Sequence, residues 1–305
     1  MKYEITGQIM IDTVVYPDGT DNGINLGGPS AFGYAGVKLW TDDVRMNINV
    51  GHDFYSYFEK WLTDYNADRS RIRVLECPGN RHIITYREDG SYHEHSVNGW
   101  DNMHNMDPRM SDFTQCAADG VKGLYFDNNI QALPFWREMN TFRKETGIKT
   151  LWEIPTGDIL PENMDILNEI IGYTDYLSIN VNEGKTLWET DSEEQVVENC
   201  CKIPVEMLFL RAGEKGSYVI ADGKATFVPS VLVGDVVDPT GCGNCSTAVA
   251  MYAWMETGDP VMTGVMANIS AAYNLLQSGL YPGYSAEDKA YAAKLRDELY
   301  AKYSK

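Results

Sequence analysis

Apolar positions fall into two rhythms along this chain. From about residue 120 onward, short apolar runs at Gly123-Leu124-Tyr125-Phe126, Thr150 to Ile154, Tyr176 to Ile179, Met207-Leu208-Phe209-Leu210 and Ser217 to Ile220 alternate with other stretches. In those stretches, near Pro134 to Thr146 and Asn163 to Ile171, apolar residues recur at helical spacing. Strands alternating with helices in this order predict a parallel or mostly parallel sheet covered by helices.

The N-terminal third is patterned differently. Tyr3 to Val15 reads as a strand entering a turn at Tyr16-Pro17-Asp18-Gly19, where Pro and Gly supply the backbone angles. Gly27-Gly28-Pro29-Ser30 then opens a helix from Ala31 to Trp40. Met46 to Val50 is predicted as a short strand and Tyr55 to Tyr65 as a helix. Arg71 to Ser96 alternates β-branched and polar residues, turns at Glu88-Asp89-Gly90 and resumes at Tyr92, the pattern of a hairpin. An antiparallel insertion in an α/β chain is a candidate lid. With no linker, low-complexity tract or internal repeat, residues 1–305 read as one domain, its lid contributed mainly by about 12–25 and 71–100.

Composition narrows the function classes. The 305 residues are 44% hydrophobic and 23% charged, and no apolar run approaches the roughly 20 residues needed to cross a bilayer. The N-terminal residues run straight into a β-like segment, so a cytoplasmic location without membrane contact is expected. Lys and Arg total 25 against 44 Asp and Glu, and the net charge of −19 repels a phosphate backbone, which excludes nucleic acid as a partner. A nucleotide remains compatible, because backbone N–H groups and a metal ion act locally. Six cysteines fit free thiols; Cys242 and Cys245 have C-x-x-C spacing but lack a second ligand pair.

The strongest chemical signal is Asp235-Val236-Val237-Asp238-Pro239-Thr240-Gly241-Cys242-Gly243-Asn244, followed by an apolar helical run from Cys245 to Met255. Gly241-Cys242-Gly243 lets the backbone turn sharply and present successive N–H groups where a helix begins, an anion cradle; the alternative is a tight strand-to-helix turn. Asn180 and Glu183 either supply oxygens toward a hard cation or cap the following helix. Asp12 either binds ligand hydroxyls or caps a turn. His82, His93 and His95 have no metal-ligand spacing and read as a solvated face of the hairpin.

Asp238-Pro239-Thr240-Gly241-Cys242-Gly243-Asn244 resembles the second signature of the PfkB, or ribokinase-like, carbohydrate kinases. The likeness extends to Gly27-Gly28, Gly51-His52-Asp53, Asn180-Val181-Asn182-Glu183 and Ala212-Gly213-Glu214-Lys215-Gly216, in family order. Arg211-Ala212-Gly213 and Gly279-Leu280-Tyr281-Pro282 also resemble a divergent branch with fungal members.

The resemblance implies a three-layer α/β/α sandwich with a small β-sheet lid, and ATP-dependent, Mg2+-assisted phosphorylation of a hydroxyl on a small sugar or nucleoside-like molecule. It assigns Gly241, Cys242 and Gly243 to the transferring phosphate, and Asn180, Glu183, Arg211, Gly213, Asp238 and Thr240 to the nucleotide side, with Glu183 toward the metal. Asp12, Gly27 and Gly28 face the acceptor, and Phe32 stands where the family has a hydroxyl-reading Asn; its ring either stacks on the acceptor or packs. Asn244 stands where the family has its catalytic Asp. A neutral amide cannot be an ordinary general base, an effect worth about 10²–10⁴-fold, so a slow kinase, or an impaired member binding nucleotide or sugar in a regulatory role, both follow. Asp235, Asp238 and Glu183 are alternative proton acceptors. A further reading makes the lid sheet a homodimer contact.

Overall fold

The computed structural model describes residues 1–88 and 92–304. The N-terminal half contains β1 (Tyr3–Thr6), β2 (Met10–Val15), β3 (Asn25–Gly27), α1 (Pro29–Lys38), β4 (Val44–Met46), β5 (Ile48–Val50), α2 (Phe54–Asp64), β6 (Ile72–Val74), β7 (Arg81–Tyr86) and β8 (Tyr92–Ser96). Next come β9 (Gly123–Asp127), α3 (Leu133–Thr146), β10 (Lys149–Glu153), α4 (Met164–Ile171), β11 (Tyr176–Asn180), α5 (Val181–Leu187), α6 (Glu193–Cys200) and β12 (Met207–Arg211). The chain closes with β13 (Gly216–Ala221), β14 (Lys224–Pro229), α7 (Cys242–Thr257), α8 (Pro260–Asn274) and α9 (Ala286–Tyr303).

The central sheet has the order β14-β13-β12-β11-β10-β9-β1-β4. From β4 to β12 every pair is parallel, and β13 and β14 add an antiparallel edge. Its inner strands are apolar on both faces because both are covered, as a parallel sheet requires. Tyr125, Leu151 and Phe209 pack with Ala248 and Val249 of α7, whereas Phe126, Trp152 and Leu208 pack with Trp136 and Met139 of α3 and Leu167 of α4. This is the mostly parallel, helix-covered sheet expected from the strand-helix alternation, in the three-layer α/β/α arrangement that the resemblance implied.

A second sheet, β3-β2-β7-β8, stands apart; β2 and β7 are parallel and the flanking pairs antiparallel. The hairpin expected over Arg71 to Ser96 is therefore present from Arg81, while its turn at Asp89 and Gly90 lies outside the described residues. Three expectations need correction. Tyr3 to Val15 is two strands, parted at Gly7 (φ +126°) so that β1 enters the central sheet and β2 the small one. Met46 to Val50 is divided at Asn47, a buried residue whose amide donates to Glu4 Oε2 at 2.6 Å and whose carbonyl accepts from Arg73 Nη2 at 2.8 Å. β4 stays in the central sheet and β5 pairs with β6, so Ile72–Val74 belongs to neither larger sheet.

The glycines of α1 bring it unusually close to α7. A β-carbon on Gly33 would lie 3.1 Å from that of Ala248, and one on Gly36 2.7 Å from Cys245 Sγ. Small residues on both helices permit this approach, and Cys245 is a packed, free thiol. Cys242 is also free, with its sulfur 3.3 Å from the Asn274 amide nitrogen. No cluster of three or more His, Cys, Asp or Glu able to hold a metal, and no helix long and apolar enough to cross a membrane, occurs among the described residues.

Candidate active site

The Gly-Cys-Gly segment lies where a helix begins. Gly241 is the N-cap of α7 in the left-handed region (φ +79°), no side chain caps the helix, and Cys242 N–H is turned back to Pro239 O at 3.2 Å. The next first-turn N–H groups have no intrahelical acceptor, and at an uncapped helix start they favour an anion. Each glycine also admits a neighbour: a β-carbon at 241 would meet the Phe32 ring at 2.2 Å, and one at 243 would meet Arg211 Nη1 at 2.2 Å. Phe32 is 3% exposed and its ring packs against Gly241.

Asp238 and Thr240 build the approach to the cradle. Asp238 Oδ1 accepts from Thr240 N at 2.8 Å, its Oδ2 accepts from Ser278 Oγ at 3.1 Å, and Thr240 O accepts from the Asn274 amide at 2.7 Å. Beside the cradle opens a cavity of about 1410 Å³, lined by Asn180, Glu183, Arg211, Gly213, Cys242 and Gly243 with an apolar wall that includes Val231, Leu232, Val236 and Leu275. Asn180, Glu183, Arg211, Gly213, Cys242 and Gly243 of this lining were expected from the sequence; Asn268 of α8 and Leu275 just after it were not, because that helix carries no motif.

Asn180 and Glu183 form a capping box on α5: Glu183 N donates to Asn180 Oδ1 at 2.8 Å and Asn180 N to Glu183 Oε2 at 2.6 Å. Thr156 Oγ donates to Glu183 Oε1 at 2.9 Å, and Arg211 Nη2 lies 3.4 Å from Oε2. Both carboxylate oxygens are thus engaged within the protein, and the helix-capping alternative is realised. Arg211 Nη1 also pairs with Glu153 Oε1 at 2.8 Å, and Tyr125 donates its hydroxyl to Glu153 Oε2 at 2.6 Å. Burial alone would weaken the Arg211 charge, but Glu153 and Glu183 more than offset it and its pKa is raised.

Glu153, Tyr125 and Asp127 were not anticipated. The available signal was positional: β9, β10, β11 and β12 end on Asp127, Glu153, Asn180 and Arg211, so a row of polar residues follows the apolar runs at the carboxyl edge of a parallel sheet. Asp127 and Glu153 are direct neighbours in the β9–β10 register. Burial, then the Glu153 charge, push the Asp127 carboxyl up to about 8, although Arg211 pulls the other way. The Tyr125 hydroxyl is pushed up by burial and by Glu153, and the Asn244 side chain of α7 is near enough to oppose this slightly.

At the other end, the small sheet carries Asp12 on β2. The α-carbon of Gly27 faces it so closely that a β-carbon there would lie 1.8 Å from Asp12 Oδ2. Gly28 (φ +87°) precedes α1 and approaches the Gln8 carbonyl, where a β-carbon would come within 2.8 Å. Asp12 Oδ1 has no hydrogen-bond partner among the described residues, and burial pushes this carboxyl up to about 6. His82, the cross-strand neighbour of Asp12, is fully buried with Nδ1 against Glu94, so the expectation of a solvated face fails for it and holds for the exposed His93 and His95. The burial follows from strand alternation, which sends His82 to the Asp12 face.

The chain matches the pfkB family carbohydrate kinase profile over residues 5–287. It belongs to that family. A nucleoside kinase of Methanocaldococcus jannaschii is 25% identical over 273 residues, covering 86% of this chain and 83% of that protein. Among solved structures, Burkholderia thailandensis nucleoside kinase in complex with inosine superposes with a TM-score of 0.72 at 19% identity, covering 99% of this chain and 97% of the other. An Escherichia coli protein provisionally assigned as a ribokinase II, in complex with ATP and Mg2+, superposes with a TM-score of 0.76 at 18% identity, covering 97% and 99%. The likeness to these structures accounts for the central sheet and its covering helices.

Proposed function

We propose that this pfkB-family protein transfers the γ-phosphoryl group of ATP to a hydroxyl of a small sugar or nucleoside-like acceptor. The observation that carries the reading is the position of the uncapped α7 N-terminus, with the 1410 Å³ cavity on one side and the Gly27–Phe32 segment packed against it on the other. Named activities of the similar proteins support the acceptor class, since one is a nucleoside kinase and another binds inosine.

In this reading the cavity takes the nucleotide, its apolar wall covering the base and Arg211 with Gly213 lying along the phosphates. The N–H groups of Gly243 and Asn244 face the group in transfer, where charge spread over equatorial oxygens is best met by fixed dipoles. Asp12 accepts hydrogen bonds from hydroxyls of the acceptor, and Gly27 and Gly28 let its ring lie against backbone. The small sheet closes this end as a lid.

The donor set fits Mg2+ through intervening water: Asn180 and Glu183 are oxygen-bearing and border the cavity, but Glu183 already has both oxygens engaged. When bound, the ion supplies charge neutralisation to the phosphates. Asn244 stands at the family's catalytic-carboxylate position in this reading, and its amide orients rather than deprotonates.

Measuring ADP formation across a panel of sugars and nucleosides, with ATP, Mg2+ and a no-acceptor control, tests the proposal. Acceptor-dependent ADP formation is expected for a furanose-bearing compound. Nucleotide binding without any acceptor-dependent ADP would leave a binding role only.

A further inference from the structure

We infer that Asp127 is the proton acceptor for the acceptor hydroxyl, doing what the Asn244 amide cannot; the inference rests on the kinase reading of the same site. Phosphoryl transfer forms a bond between the acceptor oxygen and the γ-phosphorus of ATP and breaks the bond to the β-phosphate oxygen, which leaves as ADP with the electron pair. The hydroxyl proton must go to a base. On this assignment it goes to the Asp127 carboxylate, which becomes the neutral acid and later releases the proton to solvent.

The other carboxylates near the cradle are committed elsewhere. Glu183 uses both oxygens on Thr156, Asn180 and Arg211, and Asp238 uses both on Thr240 and Ser278. Asp235 is exposed on the loop ahead of the cradle. Glu153 is held by Arg211 on one oxygen and by Tyr125 on the other. Asp127 alone of this set has no side-chain hydrogen bond or ion pair among the described residues, and it keeps some exposure.

Its position is defined from three sides. Along β9 it follows Tyr125 by two residues and therefore shares its face, one pleat nearer the carboxyl edge of the sheet. Tyr125 packs with Ala248 and Val249 of α7 and feels the Asn244 side chain of that helix's first turn, so the face that Asp127 shares is the α7 face, at the carboxyl edge of the sheet. From above, the crossover from β1 to β2 runs over it: a β-carbon on Gly7 would meet Asp127 O at 2.9 Å and Asp127 Cβ at 3.3 Å. Five residues later that crossover delivers Asp12.

The electrostatics suit the task. Asp127 and Glu153 are adjacent carboxyls in different surroundings: Glu153 is compensated by Arg211, and Asp127 is desolvated beside it, with Asp158 and Asp107 adding smaller repulsion. Titratable groups held side by side in unlike surroundings are how acid and base roles are divided between neighbours. A carboxyl at about 8 accepts a proton readily and still ionises at mildly alkaline pH.

Kinetics against pH for the parent, Asp127→Asn, Asn244→Asp and the double variant, using the acceptor found by the ADP screen, test the assignment. The parent kcat is expected to rise with pH and level off above about 8, and Asp127→Asn to lose about 10²–10³-fold in kcat with KM for ATP within about threefold. The Asn244→Asp change should restore most of the lost rate in the double variant and move the rising limb into the usual carboxylate range. Asp127→Asn turnover within about threefold of the parent, with an unchanged pH profile, overturns the assignment. Should that variant fail to fold, a parent profile flat between about pH 6 and 9 overturns it equally. Absence of acceptor-dependent ADP formation by the parent removes the kinase reading itself, whereas parent turnover with an unaffected Asp127→Asn removes only this one.

Discussion

The Arg211 guanidinium rests against the α-carbon of Gly243, with Nη1 so placed that a β-carbon would come within 2.2 Å of it. The same guanidinium joins Glu153 of β10 to Glu183 of α5, so one helix start, one strand end and one capping box share a single cation. Gly243→Ala must therefore displace Arg211 or the first turn of α7. Because a displacement of about 1 Å at a reacting centre can cost about 100-fold, kcat/KM is expected to fall by that order while the fold persists. Steady-state kinetics beside a far-ultraviolet circular dichroism spectrum would check both halves.

Acceptor binding should depend on pH through Asp12. Burial raises this carboxyl to about 6, His82 draws it down and Glu94 pushes it up. The charged form predominates above about 6, so the acceptor KM is expected to increase as pH falls through that value while the KM for ATP changes little. A hydrogen bond to a charged group contributes about 1.5–3 kcal/mol, and Asp12→Asn should raise the acceptor KM by about 10–100-fold. An acceptor KM in Asp12→Asn equal to that of the parent would remove Asp12 from the pocket.

How much of this was legible in the sequence depends on the range of the interaction involved. The strand-helix alternation after residue 120 is local, and the continuous apolar runs report two-faced burial, so the central sheet could be read directly. Gly241 to Asn244 was legible for the same reason: a glycine turn and the helix after it are neighbours in sequence. Asp127 and Glu153 were not, because each is a single acid at the end of an apolar run, and only the β9–β10 register brings them side by side. His82 was misjudged since its burial arises from pairing with β2, some seventy residues earlier, and from Glu94 across the hairpin. The breaks at Gly7 and Asn47 were missed because the residues on either side continue to look like strand.

Asp127 should also leave a mark on stability. Its folded-state pKa of about 8 lies above the ordinary carboxylate value of 3.8, so the stabilisation it supplies is complete below the ordinary value, is lost progressively as pH rises from there, and is gone above about 8. An amide does not ionise. Asp127→Asn is accordingly expected to melt higher than the parent at about pH 9, by about 2–6 °C, with the gap closing toward pH 5. Scanning calorimetry at the two pH values would show it, and an equal gap at both would mean that ionisation is not the cause.

A separate network holds β1 in place away from the site. Glu4 is fully buried, accepts from Arg45 Nε at 2.8 Å and from the Asn47 amide at 2.6 Å, and Arg45 continues to Asp119 at 2.6 Å. Removing one partner of a buried ion pair leaves an uncompensated charge and typically costs about 3–5 kcal/mol. Arg45→Ala should lose stability of that order in denaturant unfolding while the surviving folded fraction keeps its KM values. A loss under about 1 kcal/mol would show that water replaces Arg45 without penalty.

Passage of phosphate from ATP to an acceptor hydroxyl at the α7 N-terminus is tested most directly by detecting the product itself. The parent protein would be incubated in excess over γ-labelled ATP with Mg2+ and the best acceptor from the panel, and the label followed by chromatography and mass spectrometry. Label is expected on the acceptor as a stable phosphate monoester, at a rate that drops about 100-fold in Gly243→Ala. Label released only as inorganic phosphate, or at the same rate with and without acceptor, would contradict it.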